Sequence, residues 1–198
     1  MTTQERFFKR SFDIIISVMA IISLLPIILI GFFVATASTK ASGVYAPYRI
    51  GQNGIPFKIY KLRSMHLSVS NKNTVTTLND PRITKAGRWL RKFKIDELPQ
   101  LWNVVKGDMS LVGPRPDVQG FADELKGEDR IILSVKPGIT GLATLKFKEE
   151  EVLLAQQENP ISYNREVIWP QKIRLNKQYV ENYSFALDLK ILFRTFAT

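Results

Sequence analysis

The sequence predicts a mainly α-helical fold with one small β-hairpin, in which an N-terminal re-entrant membrane helix and interfacial amphipathic helices carry a compact domain. Three observations predict it. No charged residue occurs from Ile14 to Thr39; apolar residues recur at helical spacing over much of the rest; and one Gly/Asn-rich turn separates two short strand-like runs. The length of 198 residues with 45% hydrophobic composition suits one domain with a real core and excludes two large ones. The division is residues 1–39 in the membrane and 40–198 outside it.

Within the first segment the run Ile14 to Ala37 would extend about 36 Å as a helix, enough to cross a bilayer. A secretory signal is the rival reading, suggested by Ala35-Thr36-Ala37 and opposed by an apolar run well beyond ~7 to 15 residues. Arg6, Lys9 and Arg10 precede the run, whereas Lys40, Arg49, Lys58, Lys61 and Arg63 follow it, so positive charge marks both flanks as cytoplasmic. A segment that enters and leaves by one face removes the conflict. Pro26, near its middle, supplies the kink by its missing N–H and its clash with the preceding turn. A simple span kinked at Pro26 is the alternative.

Tyr45 to Ile50 and Phe57 to Leu62 read as the hairpin, with Asn53-Gly54 supplying positive φ at the turn. Leu67 to Asn79, rich in Ser, Thr and Asn, reads as a surface loop. From Pro81 a basic amphipathic helix is expected, with Ile83, Ala86, Leu90 and Phe93 on one face, Lys85, Arg88 and Lys92 on another, and Trp89 between them. Leu98, Leu101, Trp102 and Val105 suggest a helix with Pro99 in its first turn and Gly107 at its end. Ala122 to Ser134 and Ile161 to Asn182 follow as helices. Phe185 to Phe196 is an apolar tail for the core or the membrane surface.

Composition limits the chemistry. Without cysteine, and with His66 as the one histidine, thiolate sites and His-rich zinc sites are excluded, which leaves carboxylates, Lys, Arg and hydroxyls. His66 itself is expected to be structural. The net charge of +10 resides wholly in residues 40–115, and Lys40 to Asn79 contains six basic residues and no acidic one. Such a segment favours phosphates or an anionic membrane face. P-loop, dinucleotide-binding and zincin motifs are absent.

Asp96-Glu97 is the first candidate site, set among Arg88, Arg91, Lys92, Lys94 and Lys106. Helical neighbours point about 100° apart, so one carboxylate can attack phosphorus while the other holds Mg²⁺. The bland reading is that Asp96 caps a helix and Glu97 pairs with a lysine. Gly113-Pro114-Arg115-Pro116 is the second, because two prolines fix the direction of one guanidinium fork. The third is Lys136-Pro137-Gly138-Ile139-Thr140-Gly141, whose glycines permit close backbone approach to a ligand.

In order, Lys9-Arg10 with Asp13; Arg49, Gly51, Gly54, Pro56-Phe57, Lys61 and Arg63-Ser64-Met65; Asn79 to Thr84; Asp96 to Asn103; Lys106 to Pro116; and Pro137 to Leu142 resemble the bacterial sugar transferases, the monotopic polyprenyl-phosphate phosphoglycosyl transferases. The resemblance implies a cytoplasmic catalytic domain at the bacterial inner membrane. It would move a sugar 1-phosphate from a UDP-sugar to undecaprenyl phosphate and release UMP, as the first membrane step of glycan assembly. Asp96 would be the nucleophile forming an aspartyl-phosphosugar and Glu97 the Mg²⁺ ligand, with Lys61, Arg91 and Arg115, flanked by Pro114 and Pro116, around the phosphates. Lipids of the inner membrane are implied partners, nucleic acid is not, and a homodimer stays open. Family members place Ser directly before the kinking proline, whereas here Leu25 precedes Pro26 and Ser23 is the nearest serine, able to reach a freed carbonyl. Without an extra amino-terminal membrane domain the chain resembles the short form. A non-catalytic membrane scaffold and a membrane-anchored nucleic-acid binder are the competing classes, the latter motivated by Trp89, Phe93 and Trp102 among the basic residues.

Overall fold

The computed structural model describes residues 2–67 and 75–197. Helix α1 runs Thr3–Thr39 as one helix with Pro26 inside it. It starts on a capping box: Glu5 N–H donates to the Thr2 hydroxyl at 3.2 Å, and Thr2 N–H donates to the Glu5 carboxylate at 2.6 Å. Proline leaves the Ile22 carbonyl without its helical donor. Ser23 does not reach it; its hydroxyl donates at 2.9 Å to the Met19 carbonyl one turn earlier.

Both ends of α1 rest on the same body. Near its start the Lys9 ammonium meets Asp188 at 2.6 Å, Arg10 donates to the Val104 and Val105 carbonyls, and Asp13 accepts from the Ser110 hydroxyl at 2.7 Å. Near its end Ala35 packs with Leu62 and Leu90, with Phe32 and Ile95 against them. Buried Asp13, Ser17, Gly31, Ala35 and Thr39 face the domain, while Ile22, Ile30 and Phe33 are each more than 60% exposed, an apolar face no aqueous helix would leave open. Asp13→Ala orphans the buried Leu111 N–H and leaves the Ser110 hydroxyl only the Val112 carbonyl, at 3.0 Å, as acceptor. The expected result is a loss of about 3 kcal/mol, read as a lowered melting transition in micelles.

The hairpin forms in two pieces. Strands β1 (Val44–Tyr45), β2 (Tyr48–Ile50), β3 (Pro56–Lys58) and β4 (Lys61–Leu62) pair antiparallel as β1 with β4 and β2 with β3. The ladder breaks at Pro47, which has no N–H to donate. Buried Asn103 repairs the opposite side, since its amide donates to the Lys58 carbonyl at 2.7 Å and accepts Tyr60 N–H at 2.9 Å. Asn53 (φ 58°) and Gly54 (φ 80°) supply the expected left-handed turn.

Helix α2 (Lys85–Lys92) begins four residues later than its pattern implied, because the Thr84 hydroxyl accepts Gly87 N–H at 2.8 Å and caps it there. Gly87 and Leu90 are its buried residues; Phe93 lies past its end and turns outward against Trp89. The chain then makes a 3₁₀ turn, Ile95–Glu97, and enters α3 (Gln100–Lys106), which ends at Gly107 as expected.

A parallel pair, β5 (Ser110–Val112) with β6 (Gly138–Thr140), has no counterpart in the sequence reading. The Gly138 side chain position lies 2.1 Å from Gly113 N, so a Cβ at that glycine would collide with the other strand. The glycines of the Lys136–Gly141 loop thus admit the backbone at Gly113. Ala122–Glu124 and Gly127–Ser134 form 3₁₀ turns instead of one α-helix, interrupted by Gly127 at φ 58°.

Helices α4 (Leu142–Lys146), α5 (Glu150–Ala155), α6 (Pro160–Tyr163), α7 (Trp169–Glu181) and α8 (Phe185–Phe196) complete the chain, with a π-turn at Asn164–Ile168 joining α6 to α7. The tail belongs to the core through Ile191 and Asp188, and still exposes Leu189, Phe193 and Phe196. The main core gathers Ile59, Leu101, Val104, Met109, Leu111, Val112, Tyr179 and Ile191. His66 is exposed and is tied by its backbone N–H to the Arg82 carbonyl. Residues 68–74 of the expected Leu67–Asn79 loop lie outside the described residues.

Candidate active site

Lys94, in the left-handed region at φ 55°, turns the chain sharply between α2 and the 3₁₀ turn, a conformation that costs a non-glycine residue about 1 kcal/mol. The turn brings Asp96 inward, where it is 6% exposed. Its Oδ1 is buried and has no hydrogen-bond partner among the described residues. Burial, reinforced by the neighbouring Glu97 charge, pushes the Asp96 carboxyl above the usual range, and Lys61, Arg91 and Lys94 pull it back in part.

Glu97 points elsewhere and is held firmly. Arg115 grips it with both guanidinium nitrogens, Nη1 to Oε2 at 3.2 Å and Nη2 to Oε1, and Lys61 Nζ lies 3.5 Å from Oε1. Burial works to raise its carboxyl, but Arg115 and Lys61 outweigh it and hold Glu97 well below the ordinary carboxylate range. Conversely, burial lowers the Lys61 ammonium, with Glu97 restoring part of the loss. Two adjacent carboxylates therefore differ: one is ionised and locked by cations, and the other is desolvated, with one oxygen lacking a hydrogen bond among the described residues.

Arg115 is positioned from both sides of its loop. Buried Pro114 and Pro116 flank it, Pro114 accepts Gly138 N–H at 2.8 Å through its carbonyl, and the Asp117 carbonyl accepts Ile50 N–H at 2.9 Å. The expected residues Lys61, Glu97 and Arg115 thus meet, with Asp96 beside them.

Arg91 behaves differently. It pairs through Nη2 with Glu151 of α5, and its Nη1 lies 3.4 Å from the Ser64 hydroxyl. Its distance in sequence from Glu151 is 60 residues, and no local pattern announces the pair. Nearby Glu150 pairs with Lys172 at 2.7 Å, so the acidic run Glu149 to Glu151 borders the basic site. Asn103, by fixing the break before β4, also sets where Lys61 stands.

Among the described residues no cluster of three or more His, Asp or Glu is placed to hold a metal. Mg²⁺ does not need one, since one or two carboxylates with phosphate oxygens and waters suffice. Asp96 and Glu97 offer the oxygen ligands that Mg²⁺ takes, and Glu97 would exchange part of its contact with Arg115 and Lys61 to hold the ion.

A mainly helical domain with one long, exposed apolar helix and a desolvated aspartate beside an arginine-locked glutamate is the class defined by this geometry. The sequence profile described as bacterial sugar transferase matches residues 4–198. The chain belongs to that family. It is 35% identical to the UDP-galactose-lipid carrier transferase of Erwinia amylovora over 96% of its length, and 34% identical to the undecaprenyl-phosphate galactose phosphotransferase of Salmonella typhimurium, also over 96%. It spans 40% of the length of each of these two. Similarity to the exopolysaccharide production protein ExoY of Sinorhizobium fredii, 34% identical, covers 94% of this chain and 83% of that protein.

Proposed function

We propose that this protein is a phosphoglycosyl transferase that moves a sugar 1-phosphate from a UDP-sugar to undecaprenyl phosphate. Family membership and the activities for which relatives are named support the reaction class. The observation that carries the mechanism is the buried Asp96 with its unpartnered Oδ1.

In the first half-reaction an Asp96 carboxylate oxygen forms a bond to the β-phosphorus. The bond from that phosphorus to the bridging oxygen breaks, and UMP leaves with the electron pair. In the second, a phosphate oxygen of undecaprenyl phosphate attacks the same phosphorus and the bond to Asp96 breaks, giving undecaprenyl-diphosphate-sugar. One displacement between two bulky anions is split into two easier ones. Arg115 and Lys61 supply positive charge beside the transferring group, and Arg91 can do so once released from Glu151. Mg²⁺, when bound, neutralises phosphate charge; Glu97, with the adjacent Asp96, would hold it.

The reaction is read at the cytoplasmic face of the bacterial inner membrane. Contact of both α1 ends with one domain supports re-entry over a simple span, and exposed Trp89, Phe93, Trp102, Phe193 and Phe196 suit contact with the lipid interface. Single cysteines at Thr2 and Lys126 should label from the cytoplasmic side of right-side-out and inverted vesicles with the same sidedness. Opposite sidedness would make α1 a span.

The reaction is tested by UMP release from a panel of UDP-sugars with Mg²⁺, with and without undecaprenyl phosphate. Sustained, acceptor-dependent UMP from one donor is the expected outcome. A folded protein that binds donors and releases no UMP from any would favour the scaffold.

A further inference from the structure

Gln100 is 1% exposed, and its Nε2 is buried without a hydrogen-bond partner among the described residues. It stands four residues beyond Asp96, whose Oδ1 is buried and unpartnered in the same way. The backbone between them passes from the 3₁₀ turn into α3 through Leu98 at φ −55°, ψ −36° and Pro99 at φ −61°, ψ −15°. Four residues of such backbone advance only about 6 to 8 Å, so a lone donor and a lone acceptor are buried on one short stretch of chain. Each such atom is expensive, because burial removes its water without replacing it.

One phosphoryl group satisfies both. Bonding of Asp96 Oδ1 to phosphorus uses the acceptor, and a non-bridging oxygen on that phosphorus accepts from the amide. Resting on the reaction proposed above, we infer that the Gln100 side-chain amide donates a hydrogen bond to the phosphoryl group as it passes onto Asp96. Its partner develops as the Asp96–phosphorus bond forms and the bond to the UMP oxygen breaks, so it acts on the chemical step more than on donor binding. Both atoms are covered in the free protein.

The test is rapid-quench measurement of the donor-only UMP burst in Gln100→Leu, which keeps the volume and removes the amide, together with melting in micelles. Gln100→Met serves the same purpose should the branched side chain pack poorly. The expected result is a burst slowed 10- to 100-fold, donor KM changed less than 3-fold, and a melting temperature equal to or above wild type, since an unsatisfied buried donor has gone. A wild-type burst rate overturns the inference. A lowered melting temperature with an unaltered burst per folded molecule assigns Gln100 to the core instead. Absence of any burst from the wild-type protein, where UMP appears only with acceptor, counts against the covalent mechanism itself and is thereby distinguished from failure at Gln100.

Discussion

Asp96→Asn is expected to lower turnover on the order of 10³-fold or more while leaving the fold intact. The substitution keeps the size of the side chain and removes the anionic oxygen that attacks phosphorus. The carboxyl is 6% exposed and its pKa is raised chiefly by burial, so its ionised form is a liability to the folded state that the amide lacks. The melting temperature should therefore stay level or rise, as for a residue maintained for chemistry at a cost in stability. Steady-state UMP release and thermal melting on one preparation check both halves. Substantial turnover by the variant would remove Asp96 from the nucleophile's role.

Glu97→Gln should fail in a different way. Arg115 loses its bidentate anionic partner and Lys61 its nearest counter-charge, and removing one member of a buried pair strands the others, at about 3 kcal/mol. Stability should drop, and Lys61, already lowered by burial, should become easier to neutralise. The rate is expected to fall about 100-fold, with Mg²⁺ half-saturation displaced to higher concentration. An unaltered Mg²⁺ titration in this variant would restrict Glu97 to holding Arg115 and Lys61. Melting alone separates the two carboxylates, since one substitution spares the fold and the adjacent one weakens it.

What the sequence revealed and what it hid divide along a physical line. Asp96-Glu97 was legible because both residues are adjacent, and Arg115 because its prolines are its own neighbours. Convergence of Lys61 and Arg115 on Glu97 was not, since they come from 36 and 18 residues away. The helix from Leu98 to Gly107 could be read from its apolar spacing and its ending glycine. The β5–β6 pair could not, because three-residue strands carry no period and the crowding of Gly113 against Gly138 exists only between strands. Pro47 lay inside a run that reads as one strand, and the repair by Asn103 comes from a helix 45 residues beyond Lys58. Phe93 fitted the apolar face of a helix that ends one residue before it, which is why it turned outward. The Arg91–Glu151 pair left no sequence signal at all.

The central claim is that sugar phosphate rests on Asp96 between two half-reactions. Donor UDP-sugar with Mg²⁺ and no acceptor, quenched within the first turnover and followed by intact mass and peptide mapping, tests it most directly. The prediction is a mass gain of one sugar phosphate on the peptide containing Asp96, discharged by undecaprenyl phosphate and absent from Asp96→Asn. Acceptor-dependent UMP release with no adduct at any quench time, or an adduct on another residue, would contradict it.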